Sequence, residues 1–458
     1  MAQATKLSTK QLQEHVTARA TELGVPGVAV GILIDGDEQY AFHGVTSIEN
    51  PLPVDEHTLF QFGSTGKTYT ATAMMRLVEQ GLVDLNERVK TYLPELELQD
   101  KDVEKHVTVV HLFNHTAGWS GDVLDNTGDG DDALEKYVAL LGGVPQETPL
   151  GKSASYNNAA LSIAGRIIEK VTGKTYEQAI KELIFEPLGL DNHYFFLNDI
   201  ATRKFVVGHT EENGELKVAR PWGLPRGGNP AGGMSATVGD LIKWARFHMG
   251  DGSPILKQET LDRMKQPTFE MRGSALGDYV GISWLMRDVD GVRVVEHGGN
   301  TIGQACGFQM IPERNFAVVV LTNGGEHAAE LQEELIRWAF EAYAGVVERD
   351  PEPTKLPDEH LAQYAGRYET IALVCTVTAA DGGLLAKADV KPEVWAQIAE
   401  GDPPDEPPMP LGLLSTDGDA YVVSDGASKG MKGYFSRDDA GDVDGVHLGG
   451  RLAMKVEG

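Results

Sequence analysis

The sequence predicts an α+β fold followed by a separate antiparallel β-unit, and three observations carry that prediction. Apolar β-like runs stand early, in "PGVAVGILIDGDEQYAFHGV", and late, in "GVRVVEHGG", "GQACGFQMIP" and "NFAVVVLTNG". Between them, to about residue 270, helical stretches alternate with Gly-rich loops. Beyond about residue 358 the chain changes to short β-like runs separated by Gly and Asp turns, the pattern of a small antiparallel sandwich or barrel. Strands this far apart in sequence imply one sheet assembled from distant segments, with helices flanking it and a helical insert between them. A chain of 458 residues also exceeds one ordinary core. We therefore expect a first domain over 1–345, a Pro- and charge-rich linker "VVERDPEPTKLP" within 346–358, and a β-domain over 359–458.

From the N-terminus onward, each element has its own signal. Ser8 and Thr9 precede a polar-apolar periodic run to Leu23, which reads as an opening surface helix. Asp35-Gly36-Asp37 joins two strand-like runs as a hairpin signal. The segment after Lys67 places Ala73, Met74, Leu77 and Val78 on one helical face, with Gly81 as its C′ residue. "GWSGDVLDNTGDGDD" is acidic and flexible by composition, and "RPWGLPRGGNPAGG" is a Pro/Gly loop suited to wall a cleft. A long helix, "EHAAELQEELIRWAFEAYAG", comes after the late strands.

Composition excludes several function classes. A net charge of -28 argues against a nucleic-acid partner, whose phosphates need a basic patch. Cys306 and Cys375 are the only cysteines, so there is no disulfide framework or paired-cysteine metal site, and both read as buried small hydrophobes. The N-terminus lacks an apolar export segment, and no window is long and apolar enough to span a membrane; a cytoplasmic location is expected.

The chemistry concentrates in "FQFGSTGKTYT", residues 60–70. A phosphate loop would need Gly at position 61, where Gln61 stands, and a buried apolar strand before it. Read instead as Ser-x-x-Lys, the stretch puts Ser64 and Lys67 three apart on one helical face, where their side chains can meet. A lysine there takes the serine proton only if burial or neighbouring cations lower its pKa. The Ser64 N–H, at a helix start, is free to face an oxyanion.

Partners stand downstream. Tyr156-Asn157-Asn158 opens another helix; Tyr156 is a workable proton carrier where a nearby ammonium stabilises its phenolate, and Asn158 can donate to a substrate carbonyl. His297-Gly298-Gly299 ends a strand, where the glycines let a substrate backbone approach and the N–H of Asn300 can complete an oxyanion hole.

Together these motifs resemble those of the serine β-lactamase and penicillin-binding-protein superfamily, nearest to its class C-like branch of D-aminopeptidases, D-Ala-D-Ala carboxypeptidases and esterases. "HLFNHTAGW", "EPLGLDNHYF", "NPAGGMSAT" and "HGGNTIGQACGFQMIPERNFAVVVLTNG" are similar to the same group, over roughly residues 10 to 345. The C-terminal segment, with "LAQYAGRYE", resembles the lipocalin-like barrel appended to some D-peptidases and peptide cyclases. The resemblance implies a β-lactamase-like fold with Ser64 as acylated nucleophile, Lys67 and Tyr156 moving its proton, and Asn158 orienting the substrate amide. It also implies that Ser64 and Asn300 hold the oxyanion, and it calls for no cofactor. His297 keeps a potential cation where class C β-lactamases have Lys, and Gly298 lacks the hydroxyl that would meet a lactam carboxylate. Peptidase, amidase or esterase chemistry on a small molecule or short peptide is therefore expected, first on amides with a D-configured acyl residue. Acyl transfer, as in peptide cyclisation, and an idle peptide-binding relative are the alternatives.

Two competing constellations fail. His111 and His115 lie four apart but lack the Glu of the zinc-hydrolase motif and a third ligand, so no metal is expected. Asp125, Thr127, Asp129 and Gly130 start like a calcium loop, but its twelfth position is Lys136 rather than Glu.

Overall fold

Ser8 opens the first helix as a capping box with Gln11, so α1 runs Thr9–Glu22 and buries Leu12, Val16 and Ala20. The computed structural model describes residues 7–456 except 213, 381, 399–406, 417 and 427. The head of the N-terminal stretch, 1–6, and the last two residues lie outside the described residues.

The expected hairpin is β1 (Gly27–Ile34) and β2 (Asp37–Gly44), joined by Asp35 and Gly36, both at positive φ. Next come α2 (Lys67–Glu79), α3 (Asn158–Thr172) and α4 (Val238–Met249). The late strands are β3 (Phe269–Ser274), β4 (Gly277–Val280), β5 (Leu285–Val289), β6 (Val292–Glu296), β7 (Gly299–Thr301), β8 (Gln304–Ile311) and β9 (Phe316–Thr322). The long helix α5 comes after them at Ala328–Ala339.

Among the described residues these strands form one nine-stranded sheet ordered β2-β1-β9-β8-β6-β5-β4-β3, with β7 beside β8. Its centre joins the two ends of the first unit: Val28 pairs with Thr322 and Ile34 with Phe316, antiparallel. β1 is buried along its whole length because both faces are covered. Val28, Val30 and Ile32 pack with Leu12 and Val16 of α1 and Leu331 and Leu335 of α5. Ala29 and Leu33 face the opposite core, shared with α2, α3 and α4. α4 lies so close that a Cβ on Gly31 would stand 2.6 Å from Ile242 Cγ1.

α2 departs from the one-faced helix that periodicity predicts: every residue from Lys67 to Met75 is buried. Its threonines tolerate this by bonding to nearby carbonyls, Thr68 to Thr65, Thr72 to Thr68 and Thr70 to Pro230. Such satisfaction is invisible to a hydrophobic pattern. The α+β fold is as the sequence predicts, and so is the β-unit, a closed eight-stranded antiparallel barrel between Gly366 and Val456. Each strand pairs with its chain neighbour and the last closes on the first, so this barrel has no open edge. Cys306 and Cys375 are both buried and unpaired. No helix among the described residues is long and apolar enough to cross a membrane.

Candidate active site

Phe60–Gln61 pairs with Ser235–Ala236, and this short ladder delivers the chain into a tight 3-10 turn, Gly63–Gly66, ahead of α2. The Ser64 N–H lies in the first turn and has no intrahelical partner. Gly63 sits at φ 52, and a Cβ on it would meet Asn300 N and O at 2.6 Å. Conversely, a Cβ on Gly299 would stand 2.7 Å from Ser64 N. The Ser64 turn and β7 thus meet backbone to backbone, bringing the neighbourhoods of both expected oxyanion donors together.

Lys67 is fully buried beneath Ser64. Its Nζ lies 2.7 Å from Asn158 Oδ1, 2.7 Å from the Ala231 carbonyl and 3.1 Å from Ser64 Oγ. Burial, reinforced by the Arg451 cation and opposed by Asp122, holds its pKa well below the ordinary lysine range. A neutral amine has two N–H donors and one lone pair. Two carbonyl acceptors take the donors, which leaves the lone pair for the Ser64 hydroxyl. Ala231 belongs to the Pro/Gly loop, which walls the underside of the nucleophile turn.

Asn157 caps α3, its side chain accepting from the Ala160 N–H, so Tyr156 and Asn158 flank a fixed helix start. The Tyr156 ring lies 4.8 Å from Lys67 Nζ. Burial nevertheless raises the Tyr156 pKa well above that of a free phenol, against the lowering pull of the Ser64 hydroxyl and Arg451. At rest Tyr156 is therefore a phenol, and the phenolate that a nearby ammonium would stabilise is the form that burial disfavours.

His115 clamps this turn. Its carbonyl accepts the Ser155 N–H at 2.9 Å, its Nδ1 accepts the Asn157 N–H at 3.2 Å, and its ring lies tilted against that of Tyr156 with centroids 4.5 Å apart. It does so at φ 61, a conformation Asn also tolerates and bulkier side chains resist. His115→Asn should therefore retain acylation within a few-fold. His115→Phe keeps a ring but strands the buried Asn157 N–H, and should lose on the order of tenfold or more. Acylation rates and thermal melts of the two variants check this; equal losses would remove the clamp.

His297 follows β6 and is buried. Its Nδ1 bonds to the Gly298 carbonyl at 2.7 Å, and its Nε2 has no hydrogen-bond partner among the described residues. Burial and the Lys67 charge lower its pKa to about 3. The potential cation expected at this position is therefore corrected: His297 is neutral near pH 7.

The cation comes from an element that sequence reasoning did not connect to the site. The last barrel hairpin, strands Val443–Leu448 and Arg451–Val456, turns through Gly449 and Gly450, both at positive φ. The Tyr156 N–H donates to the Gly450 carbonyl at 2.9 Å, and the Leu452 N–H donates to Ser155 Oγ at 3.2 Å. Arg451 then lies 4.9 Å over the Tyr156 ring and donates to both oxygens of Asp122 at 3.0 Å. Asp122 also accepts from Asn158 Nδ2 at 2.8 Å. The loop expected to be flexible is thus pinned at its start. The Gly-Gly hairpin signal before Arg in "HLGGRLAM" was the available clue.

A cavity of about 520 Å³ collects Ser64, Tyr156, Asn158, His297, Gly298, Gly299 and Asn300 with Gly449 and Arg451 of the barrel. Lys67 lies directly beneath it, against Ser64. His111, by contrast, bonds locally to Thr108, its Nδ1 accepting from that N–H at 3.2 Å.

A helix-flanked antiparallel sheet with Ser-x-x-Lys beneath its strand edge defines a serine β-lactamase-like hydrolase. The chain belongs to the Beta-lactamase family, whose model matches residues 12–342. It is 33% identical over 370 residues to "Penicillin-binding protein 4" of Amycolatopsis lactamdurans, covering 78% of this chain and 96% of that protein. Among solved structures it is similar to SurE with D-Leu, with a TM-score of 0.77 and 22% identity over 98% of this chain and 99% of that one. It is also similar to D-amino acid amidase from Ochrobactrum anthropi SV3 complexed with D-phenylalanine, at TM-score 0.61 and 22% identity over 72% and 98% of the two chains.

Proposed function

We propose that this protein cleaves amide bonds through a Ser64 acyl-enzyme, as a peptidase or amidase acting first on D-configured acyl residues. The observation that carries this reading is the buried Lys67 amine, whose Nζ lies 2.7 Å from Asn158 Oδ1, 2.7 Å from the Ala231 carbonyl and 3.1 Å from Ser64 Oγ, so that its neutral form would turn its lone pair to that hydroxyl. Ser64 Oγ attacks the carbonyl carbon and its proton passes to Lys67 Nζ. The oxyanion forms against the N–H groups of Ser64 and Asn300. On collapse the C–N bond breaks, the leaving amine takes the Tyr156 phenol proton, and Lys67 reprotonates Tyr156. Water then attacks the ester carbonyl and gives a proton to Lys67; the C–Oγ bond breaks as Lys67 passes that proton to Ser64 Oγ, freeing the acid and restoring the serine and the neutral amine.

Arg451 supports a substrate with a carboxylate at the barrel end of the cleft, because His297 carries no charge there. The D-preference is guided by the structurally similar amidase complexed with D-phenylalanine and by SurE with D-Leu. Family membership alone does not imply lactam hydrolysis here, since Gly298 offers no hydroxyl; nitrocefin turnover should be near background.

Intact-mass analysis after a fluorophosphonate should show one adduct in the parent and none in Ser64→Ala. An equal adduct in both, or none in either, would sink the acyl-enzyme. A library of D- and L-aminoacyl amides and short esters, read by mass spectrometry, tests the substrate. Turnover confined to L-amides would end the D-preference, and turnover confined to esters would make the enzyme an esterase.

A further inference from the structure

We propose that Asp122 is a positioning residue through which the docked barrel, by way of Arg451, sets the orientation of Asn158 against Lys67. The proposal rests on the serine-hydrolase reading above and goes beyond it by making the barrel part of the catalytic apparatus.

The connection is continuous. Arg451 places Nε on one Asp122 oxygen and Nη2 on the other, while Nη1 returns to the Gly449 carbonyl at 3.3 Å. One of those Asp122 oxygens also accepts from Asn158 Nδ2. An amide held by its nitrogen must present its oxygen to the opposite side, and there Asn158 Oδ1 meets Lys67 Nζ at 2.7 Å. Without Asp122, Asn158 is free to turn its NH2 toward Lys67, and the amine would lose one of the acceptors that aim its lone pair.

The loop is built to hold Asp122 there. A Cβ on the preceding Gly121 would stand 2.6 Å from both Asn157 Cα and the Tyr156 carbonyl. The Ala159 N–H donates to the Gly121 carbonyl at 3.0 Å, and Asn157 Nδ2 donates to the Trp119 carbonyl at 2.8 Å. Arg451 is held equally firmly, by the Gly450 carbonyl on Tyr156 and the Leu452 N–H on Ser155.

The arrangement also has an electrostatic signature. Lys67 is surrounded by Ser64, Asn158, the Tyr156 ring, His115, His297, Asp122 and Arg451. Burial keeps Tyr156, His115 and His297 neutral near pH 7. Asp122 and Arg451 are then the charges acting on Lys67, with opposite signs. Removing Asp122 should make the lysine easier to deprotonate, and removing Arg451 should make it harder.

The test is the pH dependence of Ser64 phosphonylation by a fluorophosphonate, read by intact mass on the full chain. Asp122→Ala, which leaves no acceptor for Asn158 Nδ2, should lower the plateau rate on the order of tenfold or more. It should also move the acid limb of the profile to lower pH. Arg451→Ala should move the same limb to higher pH, with a smaller loss of plateau rate. In the double variant the limb should return toward its wild-type position, as two charges acting on one amine require. Hydrogen exchange at the Tyr156 and Leu452 amides reports whether the barrel stays docked, and Asp122→Ala should leave it so. Limbs that stay put, or that move the same way in both variants, overturn the proposal while leaving the nucleophile intact. A wild-type chain that forms no Ser64 adduct would overturn the hydrolase reading itself, and the latch with it.

Discussion

Lys67→Met is expected to slow acylation of Ser64 by about 10²–10⁴-fold, the range for losing a positioned general base. Methionine is close to lysine in length and apolar, so the buried site accepts it, but it has no lone pair for the Ser64 proton. In the parent the rate should rise with pH through the depressed Lys67 pKa, well below the ordinary lysine range, because only the neutral amine accepts a proton. The variant's residual rate should lack that limb. Stability carries the same signature. Between the folded and unfolded lysine pKa values the unfolded chain binds more protons than the folded one, so the parent gains stability as pH rises across that window. Below the folded value both states hold the proton and the gain is absent. Urea unfolding of parent and variant from pH 6 to pH 9 should therefore show a stability difference that moves in the parent's favour with rising pH. A flat difference, or a variant that keeps the kinetic limb, would remove Lys67 as the base.

How each part of this site is encoded decides whether it was legible in the sequence. Ser64 and Lys67 are three residues apart on one helix, so their meeting is a local property. Tyr156, Asn158 and His297 each sit in a short motif at an element boundary, which the sequence displays without the fold. Asp122 and Arg451 are 329 residues apart, and no local pattern joins an acidic loop to a barrel hairpin. Protonation states were the least legible. The family resemblance offers His297 as a potential cation, and the sequence offers Tyr156 as a proton carrier whose phenolate a nearby ammonium would stabilise. Burial, which only the assembled fold supplies, disfavours both charged forms. The central strands show the converse. β1 and β9 are buried on both faces and so appear as unbroken apolar runs. α2 looks one-faced in sequence because its buried threonines are polar residues that carbonyls satisfy in space.

Gly299→Ala and Gly298→Ala should separate by about two orders of magnitude or more, though they differ by one position. A Cβ on Gly299 would stand 2.0 Å from the Phe62 carbonyl oxygen, 2.7 Å from Ser64 N and 2.9 Å from Thr65 N. All three neighbours are backbone atoms of the nucleophile turn, so the strain must be relieved by parting β7 from that turn. Such a parting displaces both proposed oxyanion donors, Ser64 N–H and Asn300 N–H, relative to each other. Losing one such donor costs about 10²–10³-fold in rate, and donors moved as a pair should cost at least that. A Cβ on Gly298 meets only the Cys306 carbonyl at 3.5 Å, an ordinary contact. Gly298→Ala should therefore acylate within a few-fold of the parent. Acylation kinetics on the two variants give the comparison, and thermal melts establish that Gly299→Ala is folded when assayed. If a folded Gly299→Ala acylates as fast as Gly298→Ala, then the close approach of β7 to Ser64 serves packing alone. The oxyanion would then have to be held elsewhere.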